Sequence, residues 1–183
     1  SIAAIEWAMS NNNAVFLTAQ QDMDVEDPGF KDLYAYGVVA EVKQVLRVSD
    51  ELVKVLVEGK YRAKLLTLDS SGRFLLASTK AAALRGTKSV DSARVEALVR
   101  SVKEAFEEYL SLNPRLSKDV VYTIITNEDA ALLCDYIPAN LLLKYTDKQA
   151  LLNEGTVSGR LEKLLEILRR ETKILPIEKD IQS

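Results

Sequence analysis

The sequence predicts an α+β protein in which a β-rich part precedes a helical bundle. Up to about residue 83 the apolar residues occur in the short, alternating runs of strands, and from about residue 91 they recur every three to four positions, as in helices. The composition is that of an ordinary folded domain, with 48% hydrophobic and 28% charged residues. We therefore expect a β-rich unit over 1–83, a linker over 84–90 and a helical unit over 91–183.

The β-rich part should begin with one short helix and continue as a dense series of strands. Ile2, Ile5 and Met9 share one face of the opening helix, which the asparagines 11–13 end. Gly59 is expected to break the sheet pattern between two of the strands. The predicted strands cover 14–19, 37–48, 52–58, 61–68 and 73–80. So many short strands in series predict a small barrel or a strongly coiled sheet.

The second half should hold about five helices joined by short links, as in a compact bundle. Asp91 or Ser92 is expected to cap a helix that runs to about residue 112. A last helix should start near residue 157, and Pro176 is expected to end or kink it. Three further helix starts are predicted at the capping residues Ser117, Asn127 and Thr146.

The composition excludes several kinds of chemistry. The chain has no histidine, so triads and metal sites that require one are excluded. Cys134, the single cysteine, stands in an apolar run, which predicts a buried, inert thiol and favours a reducing compartment. The net charge of −3 and the absence of a basic stripe argue against nucleic-acid binding. The apolar runs are far shorter than the roughly 20 residues needed to span a bilayer, so no membrane partner is expected.

No spacing of residues indicates a catalytic, cofactor or metal site. Residues 86–89 (GTKS) resemble the tail of a phosphate-binding loop but lack its upstream glycine. The acids of 21–36 alternate as oxygen ligands of calcium do, without the EF-hand pattern, and mutual repulsion in a solvated loop is the simpler account. We therefore predict no catalytic residue, no cofactor and no metal for this chain.

Five strings, in order and at suitable distances, resemble the amino-terminal domain of bacterial Lon-type ATP-dependent proteases. They are SIAAIEWAM to AVFLTAQQD (1–22), DLYAYGVVAEVKQVL (32–46), VKVLVEGKYRA (53–63), LLLKYTDKQALL (141–152) and GRLEKLLEILRRETKIL (159–175). Weaker likeness joins them, so the resemblance covers nearly the whole chain. It departs from the family at Ser49-Asp50-Glu51 and at Pro176.

This resemblance implies a small PUA-like β-rich subdomain followed by a helical bundle that ends in a long helix. In the family, ATPase and serine-lysine protease modules follow, and their catalytic residues match no position here. ATP and Mg would be bound only in that absent ATPase module. Both ends of the chain are expected to be cut, because the family's first strand is missing and the final IEKDIQS is typical of a helix stopped in mid-course.

The function that the resemblance implies is recognition of unfolded or damaged polypeptides by a cytoplasmic, hexameric protease. Phe30, Leu33, Tyr34 and Tyr36, in the long acidic loop over 21–36, are the candidate substrate contacts. Alternatively, these side chains only pack the loop onto the sheet. A second reading is a structural module whose helices 91–112 and 157–175 contact neighbouring subunits. A third is nucleic-acid binding, which PUA-like folds often perform.

Overall fold

The structure is a computed structural model that describes residues 1–86 and 92–182. The chain divides into two compact units, Ser1–Ala83 and Leu84–Ser183. The first contains an antiparallel sheet with one helix, and the second contains helices. The α+β class predicted from the sequence is thus confirmed.

The sheet unit is a meander of four strands in the order β1-β2-β3-β4, all antiparallel. Its strands follow the short helix α1 (Ile2–Met9), which contains the predicted apolar face and ends before the asparagines 11–13. The strands are β1 (Ala14–Leu17), β2 (Tyr36–Arg47), β3 (Val53–Asp69) and β4 (Leu76–Ala81). The unit buries small and branched side chains such as Ala40, Ala63 and Leu65.

The prediction that Gly59 breaks the sheet pattern is wrong. The two strands predicted over 52–58 and 61–68 form the single 17-residue strand β3. Val39 of β2 pairs with Tyr61 and Ala40 pairs with Gly59, so Lys60 is an extra residue in a β-bulge. A bulge absorbs the weak strand preference of glycine without ending the ladder, because pairing resumes on both sides of it.

In its described residues, the helical unit packs five helices around one core. The helices are α2 (Ser92–Leu112), α3 (Lys118–Thr126), α4 (Ala130–Asn140), α5 (Tyr145–Asn153) and α6 (Val157–Gln182). The first and last of them, α2 and α6, lie side by side, and an ion pair joins Arg94 to Glu162. None of the helices in the described ranges is long and apolar enough to cross a membrane. The largest fully buried side chains of the core include Val102, Phe106, Ile124, Leu133, Ile137, Leu161, Leu164 and Leu168.

The start of the predicted linker is held by the helical unit. The backbone N–H of Arg85 donates to the carbonyl of Gly155 at 2.9 Å, and the N–H of Val157 donates to the carbonyl of Arg85 at 2.9 Å. Leu84 packs against the helical core. The remainder of the predicted linker, 87–90, and the predicted capping side chains of Asp91 and Ser92 lie outside the described residues.

One of the three further caps was predicted correctly. The Ser117 hydroxyl accepts from the N–H of Val120 at 3.3 Å and caps α3. Asn127 is not an N-cap, because α4 starts later and is capped by Asp129, whose carboxylate accepts from two N–H groups of the first turn. Thr146 is not an N-cap either, since α5 begins at Tyr145 with Lys144 in the capping position.

Pro176 does not end α6, which continues to Gln182. A proline inside a helix removes one N–H donor and crowds the carbonyl four residues earlier. The helix is held on both sides of that defect. Before it, Leu175 packs on the core, and after it Lys179 Nζ donates to the carbonyl of Leu112 at 2.6 Å.

Candidate functional site

The long acidic loop of the sheet unit is closed by backbone pairing at its base. Gln20 forms an isolated antiparallel bridge with Leu33, and the N–H of Tyr34 donates to the carbonyl of Ala19 at 3.0 Å. Within the loop, the Gln20 side chain donates to the carbonyl of Val25 at 2.9 Å. These bonds give the loop a fixed base, on which a turn of 3₁₀ helix carries Phe30.

The four side chains predicted as substrate contacts do not share one surface. Phe30 is 48% exposed, whereas Leu33, Tyr34 and Tyr36 are half-buried. Tyr36 begins β2 and lies beneath a cation, with the Arg62 guanidinium carbon 4.1 Å from its ring centre.

Leu33 lines an apolar pocket of about 300 Å³ on the side of the sheet that α1 covers. The side chains around it come from α1, from the edge strands β1 and β4, from β3 and from the loop. They include Ile5, Val15, Leu17, Leu65, Leu68 and Leu75. Phe30 and Leu33 are therefore the members of the predicted set that remain available for apolar contact.

A second apolar surface, which the sequence analysis missed, lies on the hairpin that joins β2 to β3. β1 pairs with β2 only over 38–41, and β4 pairs with β3 only from Ala63 onward. Residues 44–47 and 53–56 therefore pair only with each other, and with their turn they form a two-stranded ribbon, here called the hairpin arm.

One face of the hairpin arm is apolar and exposed. Leu46, Val48, Leu52 and Leu56 are each 53–59% exposed. The N–H of Val48 donates to the carbonyl of Leu52 at 2.9 Å, and Leu46 pairs with Lys54, so alternation places all four apolar side chains on the same face. The opposite face is turned toward the body of the unit, because Arg47 forms an ion pair with Glu6 of α1 at 2.6 Å.

The signal for this surface was present in the sequence. The segment 52–57 (LVKVLV) places apolar residues on both faces of a strand, whereas a half-buried strand alternates apolar and polar residues. Which face of this strand becomes buried depends on the position of α1 and on the length of β1. Residues 52–57 alone contain no information about either. Periodicity alone therefore identified the strand but not its exposed face.

At the base of the hairpin arm four charged side chains form a closed network. Lys43 and Lys60 each lie 3.2 Å from both Glu41 and Glu58. Hydrogen bonds from Lys60 and Lys43 hold the pKa of Glu41 below its ordinary value, and those from Lys43 and Lys60 do the same for the pKa of Glu58. The opposed glutamates of β2 and β3 are thus neutralised within the sheet itself.

No arrangement of side chains in the described part of the chain indicates catalysis. Over residues 1–86 and 92–182 there is no group of three Cys, Asp or Glu side chains that could hold a metal ion. Cys134 is buried, its thiol donates to the carbonyl of Ala131 at 3.2 Å, and burial raises its pKa to about 11. Such a thiol is poorly suited to act as a nucleophile near neutral pH.

Cys134 is expected to react with a thiol reagent at pH 8 at least ~100-fold more slowly in the folded protein than in denaturant. The raised pKa lowers the thiolate fraction by about that factor, and burial restricts access further. Absorbance during reaction with a disulfide reagent, with and without urea, measures the two rates. Equal rates would contradict a buried thiol.

Comparison with known proteins places the two units in a class of substrate-binding domains. A family model described as the ATP-dependent protease La (LON) substrate-binding domain matches residues 1–170. Lon protease of Escherichia coli (strain K12) is 36% identical over 183 residues, which are 100% of this chain and 23% of that protein. Lon protease of Clostridioides difficile (strain 630) is 34% identical over 184 residues, covering 99% of this chain and 23% of that protein.

The fold has a solved counterpart as well. The structure of the N terminal domain of Mycobacterium avium complex Lon protease superposes with a TM-score of 0.69 at 20% identity, covering 92% of this chain and 84% of that chain. The chain therefore belongs to the family of Lon substrate-binding domains. It spans 23% of the length of the Lon proteases quoted above.

Proposed function

We propose that this domain binds unfolded or damaged polypeptide on behalf of a Lon-type ATP-dependent protease. The observation that supports this most directly is the exposed apolar face of the hairpin arm, with Leu46, Val48, Leu52 and Leu56 side by side on a strand pair. Exposed contiguous apolar surface on a folded protein commonly marks a place where another chain binds. A site that accepts many sequences is expected to be shallow, and these four side chains lie on an open strand face.

The loop provides a second contact in this proposal. Phe30 is exposed, and Leu33 lines the apolar pocket beside α1. Tyr34 and Tyr36 also belong to the proposed contacts. However, the Tyr34 backbone bonds to Ala19, and the Tyr36 ring contacts Arg62. Replacing them would also disturb the base of the loop and the position of Arg62, so they are poor first choices for a binding test.

Replacing Leu46 and Leu56 together by serine is expected to weaken binding of a labelled, permanently unfolded polypeptide by about tenfold or more. Full burial of a leucine side chain contributes roughly 1.5–3 kcal/mol, so partial burial of two leucines against a bound chain accounts for a tenfold change. Fluorescence anisotropy at high salt measures the apolar part of the affinity, because salt screens charge interactions.

The matched control replaces Tyr122 and Ile125, two exposed apolar residues of α3 in the helical unit, by serine. It removes a similar exposed area and is expected to leave the affinity unchanged. If the α3 variant loses binding and the hairpin arm variant does not, the proposed surface is wrong. Circular dichroism of both variants checks that each is folded.

The full proposal also includes assembly of the parent protein as a cytoplasmic hexamer whose ATPase module holds ATP and Mg. A ring of six domains would raise the effective concentration of weak binding sites. The alternative of a purely structural module, with α2 and α6 contacting neighbouring subunits, is less favoured. The apolar residues of those helices, such as Phe106 and Leu164, are buried in the core of their own unit. Sedimentation of the chain at several concentrations tests that alternative.

A further inference from the structure

Strands β3 and β4 carry a cluster of cations that lies apart from the hairpin arm. Lys64 of β3 and Lys80 of β4 are direct partners in the register, so both side chains leave the sheet on the same side. Both are exposed. Arg62, two residues before Lys64, shares this face, and Tyr36 lies between the cations, with Lys64 Nζ 5.9 Å and the Arg62 guanidinium carbon 4.1 Å from its ring centre.

Two like charges directly opposite each other destabilise an antiparallel pair of strands. The same sheet contains a second such pair, Glu41 opposite Glu58, and there Lys43 and Lys60 neutralise both carboxylates at 3.2 Å. No carboxylate of the described residues forms an ion pair with Lys64 or Lys80. Among the described residues, the opposed acids are therefore neutralised, whereas the opposed lysines have no ion-pair partner.

Protection of a sheet edge does not explain this arrangement fully. Lysines on an edge strand discourage pairing with other chains, and Lys80 on β4 fits that role. Lys64 lies on β3, which is paired on both sides, so edge protection does not require a cation there. Arg62 contributes a further charge, although its Nη1 also donates to the carbonyl of Ala82 at 3.0 Å.

We propose that Arg62, Lys64 and Lys80 bind carboxylate-rich segments of unfolded polypeptide. This inference rests on the proposed function and specifies a class of substrate segment. Arg62 and Lys64 are two residues apart on one strand face, a separation of roughly 7 Å. An extended peptide repeats its side chains on one face at the same spacing, so acids at alternate positions can meet successive cations. Charge complementarity therefore selects an acidic, extended chain.

A nucleic acid is a less suitable occupant of this face. Single-stranded nucleic acids are usually held by bases that stack on open aromatic rings. The ring of Tyr36 is instead covered by the Arg62 guanidinium group.

The test compares two labelled unfolded peptides of equal length and equal apolar content. One carries glutamate at alternate positions, and the other carries glutamine at those positions. At low salt the glutamate peptide is expected to bind this chain about five- to tenfold more tightly, and high salt should remove the difference. In the double variant Lys64→Gln/Lys80→Gln the preference for glutamate should fall to about twofold or less, because only Arg62 of the three cations remains.

The control variant Lys118→Gln/Lys173→Gln removes the same charge from exposed lysines of the helical unit. It should keep the preference for glutamate. Equal binding of the two peptides by the unaltered chain would overturn the acidic site and leave the proposed function intact. Loss of the preference in both double variants would also overturn it. Failure of the glutamine peptide to bind would count against the proposed function alone, because that peptide measures apolar binding.

Two further readouts sharpen the result. Lys80→Glu places an acid opposite Lys64, so it should abolish the glutamate preference while raising the melting temperature by about 3 °C. If Lys80→Glu abolished the preference by unfolding the protein, it would lower the melting temperature instead. In that case the binding of the two peptides to Lys64→Gln/Lys80→Gln decides the test. An oligothymidylate that binds the same lysines more tightly than the glutamate peptide would overturn the polypeptide assignment.

Discussion

Gly37→Ala is expected to destabilise the sheet unit by roughly 3 kcal/mol or more, which is among the larger effects of single substitutions. A Cβ atom at this position would lie 2.2 Å from the carbonyl oxygen of Leu17 and 2.7 Å from Cζ of Phe16. The nearer atom belongs to the backbone of β1, which pairs with β2 through Leu17 and Val38. Relief of the clash would therefore require β1 to move away from its partner strand.

Gly72→Ala provides the control for this prediction. A Cβ atom there meets nothing closer than the carbonyl oxygen of Phe74 at 4.0 Å, and we expect a change within about 0.5 kcal/mol. The single tryptophan, Trp7 of α1, contacts Phe74 in a tilted arrangement with ring centres 5.5 Å apart, and it serves as the fluorescent probe for this unit in urea titrations. A Gly37→Ala protein with an unchanged urea midpoint would contradict the close approach of β1 and β2.

Phe106→Ala is expected to lower the free energy of unfolding of the helical unit by about 3–5 kcal/mol. Phe106 lies on α2 with no exposed surface, in the core that the five helices share. Truncation removes the transfer free energy of a whole aromatic ring and leaves a cavity that packed helices can fill only in part. Urea unfolding followed by circular dichroism at a helical wavelength measures the loss.

Tyr122→Ala, on α3, is the matched truncation of an exposed aromatic residue, since 70% of the Tyr122 surface is open to solvent. It should change the stability by no more than about 0.5 kcal/mol. Similar losses of unfolding free energy in the Phe106 and Tyr122 variants would contradict the burial of Phe106 in the core. The comparison separates burial from helix propensity, because alanine is the better helix former at both positions.

The sequence predicts those features that depend on local pattern. The change from alternating to helical periodicity gave the α+β class and the approximate extent of α2 and α6, because an apolar stripe is a property of the segment itself. Ser117 was predicted as a cap because its hydroxyl needs only the next turn of its own helix. The prediction that Asn127 caps a helix was wrong because Asp129, two residues later, is the N-cap of that helix.

Features that depend on strand partners were not predictable in this way. Gly59 was assigned as a break because the bulge that accommodates it is defined by β2. The exposed face of the hairpin arm and the opposition of Lys64 to Lys80 likewise require the register between strands. The loop residues were found as an aromatic cluster, but only pairing showed that Tyr36 lies under Arg62 while Leu33 lines the pocket.

The side-by-side packing of α2 and α6 has a consequence for synthesis on the ribosome. The sheet unit is complete in the chain once β4 has been made, and its pairing joins strands that follow one another in sequence. The helical core instead needs its last helix, because Leu161, Leu164 and Leu168 of α6 fill the space beside α2. Synthesis adds about 5–20 residues per second, so several seconds separate the synthesis of α2 from that of α6. Throughout that time the apolar stripe of α2 is uncovered. During that interval, the nascent domain has the kind of surface that it is proposed to recognise in other proteins.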